Sequence, residues 1–352
     1  MSLKQLLLFS LRKLQTFLPK IIRFIETRTI IKRYNPKNKK IAVIMSGFLR
    51  NYEMCAPYIV KNILEPLNAD LFVYCPYERD SDPAIQYEIK SIVKDLSIIT
   101  ENDISKYYNK FIKTIKMYNY NINIFSEQES KILNSIDKDQ IYPVDIFQTV
   151  GYMKPSRFLS QLYHFWQSDL LRQTYEYKNN IQYDLVIKIR PDILPWNKIN
   201  LSSIDSNKLN YPIGQGFNME GLRYIGAAHV FAFYNLESNT FLTHHQLFFN
   251  DHIFITKSNQ MSLISNLYNN VMNYIINNKI APNNETLIAY HSQYINNIQL
   301  LSSDFIQYNL ASHKHLNCIK RFFLPNFVIE DYKKMKGIDS KINVMENFYA
   351  NI

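Results

Sequence analysis

Short apolar runs rich in β-branched residues alternate with segments of helical periodicity along this chain. Residues 40–45 and 70–75 form two such runs, and residues 183–189 form the clearest one. Runs this short and this apolar are typical of strands that are buried on both faces of a parallel sheet. The alternation of strands with helices therefore predicts an α/β fold, in which helices flank a mostly parallel sheet.

The same patterns place further elements along the chain. Residues 40–75 have the length of a right-handed βαβ unit, and no repeat, heptad pattern or flexible linker separates two domains. We therefore expect one core domain over residues 40–325, preceded by an arm at 1–39 and followed by an extension at 326–352. The other predicted strands lie at 229–233 and 252–255, and the predicted helices at 52–64, 83–95, 103–117, 156–177, 258–277 and 284–296.

The net charge of the chain is concentrated in its N-terminal arm. The formal charge is +10, and residues 1–40 contain eleven Lys and Arg against the single acid Glu26. The remaining residues balance to zero, so an electrostatic partner is expected for the arm alone. On a helical wheel the cations lie on one side of the arm and the aliphatic residues on the other. The apolar side contains Leu3, Leu6, Leu7, Leu14, Leu18, Ile21 and Ile25.

A basic amphipathic helix of this kind suits the interface of an anionic membrane. The alternative is a helix that packs its apolar stripe against its own domain. The arm has no uncharged run long enough to cross a bilayer, and it interleaves aliphatic residues rather than the stacking aromatics or base-reading motif of a nucleic-acid-binding arm. Three widely spaced cysteines indicate a reducing compartment. We therefore expect a cytoplasmic protein that binds peripherally to the cytoplasmic face of the membrane.

Chemistry is expected in the loops that follow the strands, because ligands bind beyond the carboxyl ends of strands in such sheets. The loop after the first strand contains Ser46, Gly47 and Arg50. It offers a hydroxyl, a close approach to the backbone and a cation near a helix N-terminus, and this combination suits a diphosphate. Taken alone, the pattern is also that of a solvated surface loop.

A second polar loop follows the clearest strand. Lys188, Arg190 and Asp192 occupy alternate positions, so they share one side of the chain as it leaves the strand. Charged groups at the end of so apolar a strand need partners, because burying them unpaired is costly. A structural ion pair between Arg190 and Asp192 and a ligand-binding role both fit this spacing.

Several segments resemble, in the same order, bacterial and viral GT-A-like glycosyltransferases of surface-polysaccharide gene clusters. In that group the first segment is similar to Ser-Gly-x-x-Arg-Asn-Tyr and a later one to Arg-x-Arg-Pro-Asp. The resemblance spans about residues 40–300 and implies a GT-A-like, Rossmann-type core that uses a nucleotide-sugar donor. The acceptor it implies is a cell-surface glycan or glycolipid. The segments are residues 44–52, 163–172 and 183–192, followed by Asn250-Asp251 and Asn284-Glu285.

The resemblance also implies roles for individual residues. Ser46, Gly47 and Arg50 would contact the nucleotide diphosphate. Arg190 and Asp192 would occupy the place of the metal-binding Asp-x-Asp loop.

This chain departs from that pattern in two ways. Lys188 stands where the pattern often has Arg, which keeps the charge but loses bidentate geometry. Asp192 is the single acid of its loop, so two arrangements stay open. One carboxylate and the substrate diphosphate could hold Mg²⁺ or Mn²⁺, or cationic side chains could neutralise the leaving group instead.

Two acids are candidates for the catalytic base. Inverting glycosyl transfer needs a carboxylate that takes the proton of the acceptor hydroxyl. Asp251, which precedes a predicted strand, is the first candidate, and Glu285, at a predicted helix start, is the second. Each also has a structural alternative, as a turn cap or as a helix N-terminal signal. Tyr163 and Trp166 fit a sugar or base pocket, and they fit a helical core position equally.

Two other functions are compatible with these residues. A sugar-phosphate transferase of capsule synthesis would use similar diphosphate-binding cations and would release a nucleoside monophosphate. A non-catalytic peripheral membrane or carbohydrate-binding protein built on a transferase core would bind no nucleotide sugar.

Overall fold

The described part of this chain is organised around one large sheet. The computed structural model describes residues 38–79, 97–135, 155–212, 232–235, 240–243, 251–278, 280, 284–303, 305–306 and 308–310. The predicted amphipathic helix of the arm, the predicted helix at 83–95 and the extension at 326–352 lie outside these residues.

Seven strands form the main sheet, in the order β3-β2-β1-β4-β9-β6-β10. Parallel pairs join β1 to β2 and β4, β2 to β3, and β6 to β10. Strand β9 is antiparallel to both of its neighbours, β4 and β6, and is therefore the one reversed strand of this sheet. Two small antiparallel sheets join β5 to β11 and β7 to β8. The strands are β1 (Ile41–Ser46), β2 (Asp70–Pro76), β3 (Ile112–Tyr118), β4 (Leu185–Ile189), β5 (Ile193–Pro195), β6 (Leu209–Pro212), β7 (Ala232–Asn235), β8 (Thr240–Thr243), β9 (Ile253–Thr256), β10 (Leu300–Ser303) and β11 (Tyr308–Leu310).

Helices connect these strands, and the longest has 25 residues. A π-helical turn at Val60–Leu64 joins the first two helices, and another at His291–Ile295 continues the last one. Single 3₁₀ turns lie at Ile122–Phe125 and Leu201–Ser203. The helices are α1 (Tyr52–Ile59), α2 (Glu65–Leu67), α3 (Glu101–Tyr108), α4 (Ser126–Ser135), α5 (Pro155–Asn179), α6 (Ser258–Ser265), α7 (Leu267–Ile276) and α8 (Asn284–Tyr290).

Each face of the sheet has its own apolar core. Alternate residues of β1 point to opposite faces, so Val43 packs with α1 and α3, whereas Ile44 packs with α5, α6 and α7. Cys55 and Cys75 lie in the first core as free, buried thiols, and burial raises the pKa of both. They therefore act as small apolar side chains.

The predicted fold class is confirmed. The sheet is mostly parallel and is covered by helices on both faces, as expected for an α/β fold. The predicted strands at 40–45, 70–75, 183–189 and 252–255 correspond to β1, β2, β4 and β9. Among the described helices, none has both the length and the apolar character needed to cross a bilayer.

The predicted helix at 103–117 is wrong in its second half. Helix α3 ends at Tyr108, and residues 112–118 form β3, an edge strand of the sheet. Ile115 lies four residues after Phe111 and three residues after Ile112, and this spacing also fits a helix. Pairing with β2 decides the outcome, since tertiary context overrides a weak local pattern.

Candidate functional site

The predicted site residues lie together at the carboxyl edge of the sheet. Strands β1 and β4 are parallel neighbours, so the loops beginning at Ser46 and Arg190 leave the sheet side by side. The reversed strand β9 begins at this same edge and brings Asp251 and His252 there. The backbone N–H of Arg190 donates to the His252 carbonyl over 3.1 Å, which joins the two segments.

Gly47 turns the chain as it leaves β1. Its φ is +114°, a value that residues with a Cβ rarely adopt. A Cβ at this position would lie 3.8 Å from Cδ of Pro191, which is ordinary contact, so the backbone angle alone demands glycine. The turn follows the buried residue Ser46. The backbone of the β1 loop thus lies beside the loop that follows β4.

Asp192 is a buried carboxylate that accepts hydrogen bonds from two arginines. Nε of Arg190 lies 2.9 Å from Oδ1 and Nη2 of Arg190 lies 2.8 Å from Oδ2, a bidentate pair. Nη1 of Arg50 donates to Oδ2 over 2.9 Å. The Asp192 side chain is 1% exposed, whereas Arg50 is 24% exposed and Arg190 19% exposed. The carboxylate is therefore hidden, and the guanidinium groups reach solvent.

The charges of this cluster keep Asp192 ionised. Burial alone would raise the pKa of the carboxyl, but the adjacent Arg190 and Arg50 outweigh burial and hold its pKa well below the ordinary value. The three side chains carry one net positive charge, because one carboxylate is shared by two guanidinium groups. The cluster can therefore attract an anion at the carboxyl edge.

The backbone of Arg50 is held in an unusual conformation. Its φ is +22°, and its N–H donates to the Arg79 carbonyl over 2.9 Å. In return, Nη1 of Arg79 donates to the Arg50 carbonyl over 2.8 Å, and the Arg79 guanidinium forms two hydrogen bonds to Glu53. Strained backbone persists only where surrounding contacts determine it. Arg79 and Glu53 supply those contacts and fix where Arg50 leaves the chain.

Lys188 points from β4 toward the segment before β9. Its ammonium group donates to the Asp251 carbonyl and lies 5.5 Å from the centre of the Phe254 ring. The side chain is buried, and burial lowers its pKa to about 8 despite the nearby Asp251. Lys188 therefore carries its charge at neutral pH and loses it in mildly alkaline solution.

The carboxyl groups of Asp251 and Glu285 interact electrostatically with this lysine and with each other. Asp251 is 3% exposed, and its Oδ2 accepts a hydrogen bond from Gln161 of α5. Glu285 lies in the first turn of α8, and burial together with the charge of Asp251 raises its pKa. The raised pKa favours the protonated form of Glu285.

An aromatic cluster lines the sheet edge beside the β1 loop. The ring of Tyr74 stacks on Tyr118, with centroids 5.1 Å apart, and the Tyr118 hydroxyl hydrogen-bonds His164. Phe48 packs edge-on against Tyr120 at 4.8 Å, and both rings are partly exposed. Burial lowers the pKa of His164 to about 3, so the cluster is uncharged at neutral pH.

The structure brings together most of the residues predicted as a site. Arg50, Arg190 and Asp192 are in direct contact, and Lys188 contacts Asp251. The structural ion pair between Arg190 and Asp192 is present, and it leaves the guanidinium groups partly exposed.

Other residues at this edge are not indicated by the sequence. Gln161 and His164 lie within a long helix whose periodicity marks only its apolar face. Tyr118 and Tyr120 are missed because their segment resembles a helix, although the alternation of Tyr118 and Tyr120 at the end of β3 is a signal. His252, whose Nε2 lies 3.6 Å from Oδ1 of Asp251, could have been found from its position next to that acid.

The donor set suits anions better than a metal ion. Among the residues that the structure describes, no group of three or more His, Cys, Asp and Glu side chains could hold a metal. Asp192, at the place of the metal-binding loop, directs its oxygens to arginines.

Comparisons with known proteins find similarity among solved structures. No protein-family profile matches the chain, and neither does any curated protein. Among solved structures, the chain is similar to the apo structure of the bifunctional glycosyltransferase WbbM, with a TM-score of 0.34 and 11% identity. The match covers 77% of this chain, which spans 40% of that protein's length. The roles of individual residues therefore rest on the geometry of the site.

Proposed function

We propose that this protein is a glycosyltransferase that moves a sugar from a nucleotide-sugar donor to a cell-surface glycan or glycolipid. One observation carries the proposal. At the carboxyl edge of the sheet, a net positive arginine cluster lies next to a second feature, the buried carboxylate of Asp251, because the Arg190 N–H donates to the carbonyl of the adjacent His252. The first feature suits a diphosphate leaving group and the second suits removal of a proton from an acceptor.

The diphosphate would bind at the loop after β1. Arg50 and Arg190 present guanidinium groups that are partly exposed and fixed on Asp192, and guanidinium groups pair well with phosphate oxygens. Ser46 and the turn at Gly47 bring the backbone to the same place. Lys188 adds a buried positive charge nearby.

The nucleobase would bind against the aromatic cluster. Phe48 and Tyr120 offer partly exposed rings beside the β1 loop, and Tyr74 and Tyr118 support them from the sheet. Flat, uncharged rings of this kind stack with a base. A donor bound in this way would leave its sugar pointing toward Asp251 and Glu285.

Asp251 is the better candidate for the base. Burial, followed by the charge of the nearby Asp251, raises the pKa of Glu285 and so favours its protonated form. Gln161 orients the Asp251 carboxylate by a hydrogen bond to Oδ2. A protonated Glu285 would act as a neutral hydrogen-bond donor.

The proposed reaction balances at each atom. The acceptor oxygen forms a bond to the anomeric carbon while the bond from that carbon to the diphosphate oxygen breaks. Asp251 takes the proton of the acceptor hydroxyl. The electron pair of the broken bond stays on the nucleoside diphosphate, whose added charge is stabilised by Arg50 and Arg190.

The N-terminal arm would place this reaction at a membrane. Residues 1–40 hold the whole excess of positive charge and an amphipathic pattern, which together favour binding to anionic lipid. We propose that the arm anchors the enzyme peripherally, close to a lipid-linked or membrane-bound acceptor.

A thermal-shift screen against nucleotide sugars tests the proposal. A ligand that binds only the folded state must raise the melting temperature, so at least one nucleotide sugar is expected to do so. Turnover with an acceptor should then release the nucleoside diphosphate. Release of a nucleoside monophosphate would instead indicate a sugar-phosphate transferase, and absence of any nucleotide binding would indicate a non-catalytic protein.

A further inference from the structure

The metal-binding loop implied by the resemblance does not fit a metal in this chain. The first acidic position of an Asp-x-Asp loop is occupied by Arg190, and the second by Asp192. A divalent cation bound to Asp192 would lie next to two guanidinium groups that are already hydrogen-bonded to both carboxylate oxygens. Like charges at such distances repel strongly where water is largely excluded.

The arginines supply the charge that a metal would otherwise provide. Two guanidinium groups and one carboxylate leave one net positive charge in the cluster. Asp192 also holds Arg190 through two parallel hydrogen bonds, which fixes the direction of its remaining N–H donors. The cluster therefore holds N–H donors in place for an anion, and both oxygens of Asp192 already accept hydrogen bonds from the arginines.

We propose that the nucleoside diphosphate of the donor binds without a divalent cation, to Arg50 and Arg190, and that Asp192 is a positioning residue for these arginines. This inference rests on the proposed function, since it concerns how the same donor is held. It replaces a metal-assisted departure of the leaving group with one assisted by guanidinium groups.

Binding without a metal can be tested by calorimetric titration of the full-length protein with UDP, GDP, dTDP, CDP and CMP. Each titration is carried out first with EDTA and then with millimolar MnCl₂. For the nucleoside diphosphate that binds, the dissociation constant should agree between the two conditions within about threefold. A tightening of about tenfold or more by Mn²⁺ would overturn the inference. If no nucleotide binds in either condition, the proposed function fails as well.

Binding of Mn²⁺ alone separates the two proposals. Electron paramagnetic resonance of Mn²⁺ with the nucleotide-free protein should show the signal of the free ion. A bound signal that disappears in Asp192→Asn would contradict the metal-free site, whatever the nucleotide titrations show.

The positioning role has its own readout. Asp192→Asn should reduce the difference in affinity between the diphosphate and the monophosphate of the same nucleoside, because the arginines lose their fixed direction. Arg190→Lys keeps the positive charge at this position but loses the bidentate pair with Asp192. It should therefore also reduce the difference in affinity between the diphosphate and the monophosphate. An unchanged difference in both variants would show that Asp192 is merely structural.

Discussion

Gly47 illustrates how a single backbone angle shapes the proposed diphosphate loop. Its φ of +114° is open to glycine and costly for residues with a Cβ. We expect Gly47→Ala to lower the free energy of unfolding by about 1–2 kcal/mol, because the alanine has room but not the conformation. Urea unfolding of both proteins measures this. Equal midpoints would mean that the loop relaxes to a negative φ at no cost.

Glu285 should make the stability of the protein depend on pH. Its pKa is raised in the folded state, so its contribution is fully present below its ordinary pKa and is lost as the pH rises through the raised value. Glu285→Gln removes this titration. Between about pH 5 and 8, the unfolding free energy of the wild type should therefore fall relative to that of the variant. A constant difference across this range would contradict the raised pKa of Glu285.

At the residue scale the sequence predicts types of chemistry but not partners. The alternation of Lys188, Arg190 and Asp192 is visible in the chain, whereas their contacts with Arg50 and Asp251 require the pairing of β1, β4 and β9. Arg50 and Asp192 lie 142 positions apart and Lys188 and Asp251 lie 63 positions apart, and local patterns do not report contacts over such separations.

Helix α5 contains a polar network that joins it to α6. Arg172 is fully buried and contacts Asp169 and Glu176 on its own helix and Ser258 and Ser262 on α6. Removing one partner of a buried ion pair leaves an uncompensated charge, so Arg172→Ala should destabilise the protein by about 3–5 kcal/mol. Chemical denaturation measures the loss.

Tyr177 offers a matched control on the same helix. Its side chain is 89% exposed, so Tyr177→Ala should change the unfolding free energy by less than about 0.5 kcal/mol. If Arg172→Ala and Tyr177→Ala lowered the unfolding free energy by similar amounts, helix propensity rather than the polar network would determine the loss of stability.

At the scale of elements, long or strongly apolar segments are predictable and edge segments are not. Strand β4 is buried throughout and is apolar except for Lys188, and α5 repeats its apolar face over 25 residues. Strand β3 lies at the edge of the sheet with exposed Lys113 and Lys116, and its mixed pattern resembles a helix. The short strands β6 and β10 give too few residues to show a period.

The charge distribution of the whole chain leads to a prediction about membranes. Deletion of residues 1–35 should abolish binding to anionic liposomes and preserve turnover of a soluble acceptor, because β1 begins at Ile41. Binding by the full chain should weaken as the salt concentration rises, and part of the binding should remain because the apolar face still contacts the lipid. Liposome co-sedimentation measures both effects.

Two results of the deletion would contradict the proposal that the arm anchors the protein to a membrane. A truncated protein that unfolds would show that the apolar stripe of the arm packs against the core. A truncated protein that still co-sediments with liposomes would place the membrane contact elsewhere on the chain.

The central claim is that the arginine cluster at the carboxyl edge binds the nucleotide of a sugar donor. Titration of wild type, Arg50→Ala and Lys113→Ala with the nucleoside diphosphate found by screening tests it most directly. Lys113 pairs with Asp70 at the opposite edge of the sheet and so provides a control for loss of one positive charge. Arg50→Ala should weaken binding by about 1.5–3 kcal/mol, the value of a charge-assisted hydrogen bond, while Lys113→Ala binds like wild type. Equal affinities in all three proteins would contradict the claim.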